Sequence, residues 1–155
     1  MNIKRALGFS FLAWIFIFVI WSLLIFIPVI KDLMMLQYVI YWILLIPLVL
    51  LLAKWYFRED PPTLKTGLLL GVFALVVMFL LDLIITIPLF IMPQHNGEFM
   101  TALSAFYSQW EMWVGFAWFL ALLAYAGWEF DQTFTKGGEV KSVEPAPAEE
   151  LTEKE

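Results

Sequence analysis

Residues Leu68 to Met92 read LLLGVFALVVMFLLDLIITIPLFIM, an apolar run of about 25 residues broken by a single charge, Asp82. At about 1.5 Å of rise per residue, a helix of that length spans the roughly 30 Å hydrocarbon core of a bilayer. Asp82 then falls near the midplane, where an ionised carboxylate costs about 2.5 to 3.5 kcal/mol on insertion scales. The stretch decides the fold class and raises a chemical question together.

Working outward, three more apolar runs have the same character. Ala6 to Ile30 follows the basic pair Lys4 and Arg5, is bulky throughout (Trp14, Phe16, Phe18, Trp21, Phe26) and lacks a small-residue cleavage site. It reads as a retained transmembrane helix, because a signal peptide has only about 7 to 15 apolar residues before such a site. The polar break at Lys31 and Asp32 is too short for anything but an antiparallel hairpin into Leu36 to Phe57, which carries Tyr38, Tyr41 and Trp42 at one end and Trp55, Tyr56 and Phe57 at the other. Those are the two aromatic belts of a spanning helix. Met112 to Phe130 supplies the fourth run.

The loop Arg58 to Thr66 contains Pro61 and Pro62, and Pro93 to Gly97 forms a turn. From Glu98 to Trp110, Phe99, Met100, Leu103, Phe106, Tyr107 and Trp110 recur at helical spacing with polar residues between them. That is an amphipathic helix. A single straight helix from Glu98 to Phe130 would be about 50 Å long, so a bend or a protruding end is expected. Beyond residue 131, glycines, prolines and a Glu-rich finish have little to bury, which predicts disorder.

The fold class is therefore an all-α integral membrane protein. It is a four-helix transmembrane bundle over 1–130 (spans 6–30, 36–57, 68–92 and 112–130), with an amphipathic interfacial segment before the fourth helix and a disordered acidic tail over 131–155. Composition agrees: 63% of residues are hydrophobic and the mean hydropathy is +0.86, outside the range of soluble domains. The net charge of -5 reflects the tail, since eight of the fourteen acidic residues lie from Glu129 onward. Nothing in it points to nucleic acid. The absence of cysteine removes disulfides, thiolate catalysis and cysteine metal sites.

Lys4, Arg5, Lys54, Arg58, Lys65, Lys136 and Lys141 flank one side of the predicted bundle, and Lys31 the other. The positive-inside rule then places both termini in the cytoplasm, most simply at a plasma (inner) membrane. Ile27-Pro28 and Ile87-Pro88 lie 60 residues apart and align Ser22 with Asp82, a faint sign of duplication.

On a helical projection, Gly67, Gly71, Ala74, Met78 and Asp82 share one stripe, with Thr86 at its margin. Gly67 and Gly71 have the spacing that lets another backbone approach closely. Ala117, Ala121 and Ala124 form a small-residue stripe on the fourth span, and the two stripes are expected to pack together. Asp82 thus points into protein, where Ser22, Thr86 and Tyr41 are its candidate polar neighbours and no Lys, Arg or His lies at its depth. Trp14, Trp21 and Trp118 lie deep enough to need a hydrogen-bond partner or a ligand. A neutral carboxyl donating to a neighbour is the expected state.

His95 stands in a polar turn and Glu111 at the start of the fourth span, without a second ligand pattern around them. No phosphate loop, nucleophile motif or zinc signature occurs, so neither enzymatic activity nor a cofactor or metal is expected. The leading expectation is a non-enzymatic accessory or self-associating subunit, with the lipid bilayer and either a second copy or another membrane protein as partners. The alternative is a small proton-coupled carrier or channel that uses Asp82.

Overall fold

The computed structural model describes residues 2–28, 30 and 33–132. The Lys31–Asp32 break and the tail from 133 onward lie outside the described residues, as do the expectations placed on them. All described elements are helical, and four helices are long and apolar enough to cross a membrane.

Helix α1 (Ile3–Phe26) opens on Asn2, whose side chain accepts from the Lys4 and Arg5 amides. It stops four residues short of the expected Ile30. Pro28 forces the residue before it out of the helical region, and Ile27 is extended at φ -77 and ψ 113. Helix α2 (Met34–Tyr56) runs through Pro47. Helix α3 (Leu64–Leu81) starts after Pro61 and Pro62, with the Thr63 hydroxyl accepting from the Thr66 amide at 3.0 Å.

From Asp82 to Ile91 the third span changes to a π-helical segment, and from Met92 to His95 to a 3-10 turn. Pro88 lies inside the π segment. It has no N–H to give, and its ring crowds the preceding turn, so the wider winding relieves a clash that an α-helix would keep. Asn96 and Gly97 then take positive φ values of 53 and 78, which ends the span. Helix α4 (Phe99–Tyr107) is separate from α5 (Trp110–Phe130), with the break at Ser108 and Gln109. Helical backbone continues to Gln132, two residues into the stretch expected to be disordered.

The four long helices form a ring in the order α1, α2, α5, α3, and α4 packs on the π segment. The exterior is apolar, with Phe26 81%, Ile84 70% and Leu51 68% exposed. A surface of that kind suits hydrocarbon, not water. Inside lipid, hydrophobic burial does not hold helices together, and close van der Waals packing takes its place.

That packing is concentrated in one half of the ring, the half nearest Arg5, Lys54 and Lys65, here termed the basic end. Ala6, Phe9 and Ala13 of α1 are buried there with Val49, Ala53 and Tyr56 of α2, Leu70 of α3, and Leu123 and Ala126 of α5. Between α3 and α5 the backbones nearly touch. A Cβ on Gly67 would run into the Leu123 carbonyl, and one on Gly127 into the Thr63 carbonyl.

At the same end α1 is clipped to α2. Arg5 donates to the Trp55 carbonyl at 2.9 Å, pairs with Glu59 at 2.9 Å and lies 5.1 Å from the centre of the Trp55 ring. The Asn2 N–H donates to Asp60 Oδ2 at 3.0 Å and holds that carboxyl below the usual carboxylate range. A lowered folded-state pKa stabilises the protein at pH values above the unfolded value of about 3.9, and this contribution is lost as pH falls through the lower folded value. Asp60→Asn should therefore melt below wild type near neutral pH in detergent. Acidification should close the gap between the two melting temperatures; a gap that stays constant with pH would refute the clip.

Candidate functional site

The far half of the ring is open. The contrast runs along α1, where Ala6, Phe9, Ser10 and Ala13 are buried but Leu24 is the one buried residue in the second half of the helix. Between the helices lies a cavity of about 540 Å³, walled by α1, α2, α3, the π segment, and the start of α5. Trp14, Leu75 and Phe119 close it toward the basic end, and Gln94, Phe106 and Gln109 line it toward the far end.

Asp82, Thr86, Ser22 and Tyr41 all line this cavity, but they are not joined as one cluster. Thr86, one turn along the same segment, donates to Asp82 Oδ1 at 2.7 Å. Ser22 instead donates to the Phe18 carbonyl of its own helix at 2.8 Å. Tyr41 is buried against Trp21, with ring centres 5.3 Å apart.

The remaining partners of Asp82 come from elsewhere. Trp14 Nε1 donates to Oδ1 at 3.0 Å, and the Tyr107 hydroxyl donates to Oδ2 at 3.4 Å. Of these bonds, the Trp14 indole can only donate, whereas the Tyr107 hydroxyl can also accept from a neutral carboxyl. Trp14 could be flagged from its depth, but nothing in the sequence pointed it at Asp82. Tyr107 was read as part of an interfacial stripe, and only the break at Ser108 and Gln109 allows α4 to fold back over the π segment. Burial, followed by the nearby Asp82 charge, pushes the Tyr107 hydroxyl above its usual range, so it keeps its proton and remains a donor.

The two oxygens of Asp82 are not equivalent. An indole N–H can only donate, so Oδ1 takes two hydrogen bonds and stays bare in either protonation state. Oδ2 has one long contact, to a hydroxyl that can both donate and accept. A proton on the carboxyl belongs on Oδ2, where the O–H can turn the Tyr107 bond around and donate to it.

The small-residue stripes divide differently from the expected pairing. Gly67, Gly71 and Ala74 do face a neighbour, and Ala124 lies against Gly67. Ala117 and Ala121 do not meet α3. They are exposed on the far side of α5, in an apolar groove shared with Val39, Trp42, Ile43 and Ile46 of α2. Helix α5 meets α3 through Leu120, Leu123, Ala124 and Gly127, so its contact face is rotated away from those two alanines. Trp118 spans the top of the groove and donates to the Trp42 carbonyl at 3.2 Å. His95 bonds through its ring to the Ile91 carbonyl at 3.0 Å, and among the described residues no group of three or more His, Cys, Asp or Glu is placed to hold a metal.

No family model matches this chain, and no curated protein or solved structure matches it either. Any reading of function therefore rests on the site.

Since the chain has no cysteine, single thiols report on access without background. Ser10 and Ser22 form a matched pair on α1, each bonded to the carbonyl four residues earlier, at 2.7 and 2.8 Å. Ser10 is fully buried, whereas Ser22 lines the cavity. Ser22→Cys should react with a small water-soluble maleimide on the order of tenfold or more faster than Ser10→Cys, because thiol reactivity follows exposure. Equal rates would mean that the cavity is closed to water.

Proposed function

We propose that this is a small integral membrane protein with both termini in the cytoplasm, acting as a proton-linked carrier that loads a solute from the outer face into the cavity around Asp82. The observation that carries the proposal is a titratable carboxyl in the wall of a cavity that is blind toward the basic end, with Oδ2 left to gain or lose a proton. Intramembrane acids facing a cavity are costly to keep, and they commonly mark ion or proton pathways. In this topology α4 rests at the outer interface, over the mouth of the cavity.

The packing supports a way for such a carrier to move. The glycine contact joins α3 to α5, while Arg5 ties α1 to α2 through the Trp55 carbonyl and, with Asn2, to Glu59 and Asp60 in the loop that follows α2, so we take the two pairs as units. The bonds Trp14 to Asp82, Tyr38 to Gln109 and Trp118 to Trp42 cross between the units and lie in the far half. With a proton on Oδ2 the Trp14 indole donates to a neutral carbonyl oxygen instead of a carboxylate, a weaker bond across the units, so protonation of Asp82 can bias rocking of one pair against the other. The π segment beginning at Asp82 supplies a joint there.

The glycine stripe also bears on the accessory-subunit reading. Gly67 and Gly71 are used within the chain, so they no longer argue for a second copy.

The test is proton movement in proteoliposomes holding a pH-sensitive dye, with three probes of similar size added outside: tetraphenylphosphonium, triphenylphosphine oxide and tetraphenylborate. At least one should drive a proton signal that exceeds protein-free vesicles and vanishes in Asp82→Asn. No signal above that background with any of them would remove the carrier reading.

A further inference from the structure

We infer that the solute taken by the Asp82 cavity is a lipophilic organic cation, a single positive charge carried on an apolar body. The inference rests on the carrier reading for its role, and on the cavity's own chemistry for its class.

Charge is the first argument. Among the described residues, those lining the cavity include no Lys, Arg or His, and the partners of Asp82 are an indole N–H and two hydroxyls, all neutral. When Oδ2 is bare, the cavity holds an uncompensated negative charge in surroundings where an unpaired charge is expensive. A monovalent cation neutralises it, and a neutral solute does not. An anion would add a second negative charge with nothing to receive it.

The walls supply the second argument. Trp14 stacks on Phe18 at 5.6 Å between ring centres, Phe18 meets Phe90 at 5.0 Å, and Trp21 sits 4.8 Å from Tyr38 and 5.3 Å from Tyr41. Aromatic rings line much of the cavity, and the electron-rich face of such a ring attracts an organic cation. A small hydrated metal ion would instead need several oxygen ligands, and the lining provides chiefly carbon. The volume, about 540 Å³, is that of a drug-sized ligand site.

Access is the third. Phe26, Ile25 and Phe90 belong to the cavity wall and are also 81%, 57% and 46% exposed on the apolar exterior. The cavity therefore has a strongly apolar, accessible rim, which favours a solute with an apolar body.

The exchange balances without a further reactant. The cation enters as the proton on Oδ2 leaves, so the cavity keeps the same net charge in both states, and no covalent bond other than O–H is broken.

The experiment measures binding, not flux, using the full chain purified in detergent micelles and the same three probes. Tryptophan fluorescence reports occupancy through Trp14 and Trp21, and a weakly buffered solution reports released protons. Tetraphenylphosphonium should saturate, release one proton for each cation bound at pH values where Oδ2 starts protonated, and bind more tightly as pH rises. Asp82→Asn should weaken it about tenfold or more, and triphenylphosphine oxide should bind wild type and variant alike. The inference is overturned if tetraphenylphosphonium fails to bind, if its affinity in wild type is independent of pH, or if the neutral or anionic probe displaces protons as well as the cation does. The pH series needs no variant, so it decides the matter even if Asp82→Asn misfolds. Cation binding without proton flux in vesicles would end the carrier reading and leave the cation site standing, while flux driven by the neutral probe alone would do the reverse.

Discussion

Gly67→Ala should destabilise the protein by about 2 kcal/mol or more, even though alanine is the better helix former by up to about 1 kcal/mol. The added methyl meets the Leu123 carbonyl, a backbone atom that cannot rotate aside, and with it the Ala124 Cα of the same helix. Relief requires α3 and α5 to move apart, which weakens packing along their whole contact. Two other glycines calibrate the effect. At Gly71 the new methyl meets the Leu120 Cδ2 at 2.7 Å, the end of a flexible side chain, so Gly71→Ala should be milder. At Gly8 the nearest atom is on Trp55 at 3.9 Å, so Gly8→Ala should be neutral or stabilising. Thermal unfolding in a fixed detergent should rank the variants Gly8→Ala, Gly71→Ala, Gly67→Ala in falling stability. Gly67→Ala as stable as wild type would mean that α3 and α5 are not in backbone contact.

The second large effect is the separation of fold from coupling at Asp82. In Asp82→Asn the amide oxygen can still accept from Trp14 and Thr86, and the amide N–H can donate to Tyr107, so stability should stay within about 1 kcal/mol of wild type. Proton-linked activity should be lost completely, because an amide does not titrate. Asp82→Ala removes the acceptor altogether. It leaves the half-buried Trp14 indole N–H without its protein partner, a loss of about 1 kcal/mol. The pair of variants divides the two roles of the carboxyl. If Asp82→Asn kept pH-dependent activity, the proton would reside elsewhere. If Asp82→Ala were as stable as wild type, the three hydrogen bonds would contribute nothing to the fold.

The four long helices were legible because apolar runs of spanning length have few other fates. Their ends were less so. Helix α1 stops at Phe26 because Pro28 constrains Ile27, a local backbone effect that an apolar run conceals. The π winding of Asp82 to Ile91 leaves no mark on periodicity, and Pro88 alone does not distinguish a kink from a wider turn. The burial of Gly67 and Gly71 follows from their spacing, but of the three alanines expected as their partner face on α5 only Ala124 meets them. Alanines at helical spacing look like a contact stripe, whereas the contact is made by Leu120, the Leu123 backbone, Ala124 and Gly127.

The site was half visible. Asp82 stood out as a lone charge, and Thr86 followed from helical spacing. Ser22 was placed beside it by treating parallel spans as level. The structure brings Trp14 to that depth instead, and Ser22 lies two turns, about 12 Å, further along α1. Tyr107 required knowing that α4 folds back, which depends on tertiary packing and not on any pattern within the helix. The alignment of Ile27-Pro28 with Ile87-Pro88 fares no better as a guide, since Pro28 follows the end of a helix and Pro88 lies within one.

In the proposed carrier, Asp82 gains and loses a proton in a cavity open to water. Infrared difference spectroscopy of the protein in lipid, recorded between neutral and acidic pH, tests it most directly. A protonated-carboxyl stretch should appear on acidification, shift promptly when water is exchanged for D2O, and be missing in Asp82→Asn. A band insensitive to pH, one that resists exchange, or one that persists in Asp82→Asn would contradict it.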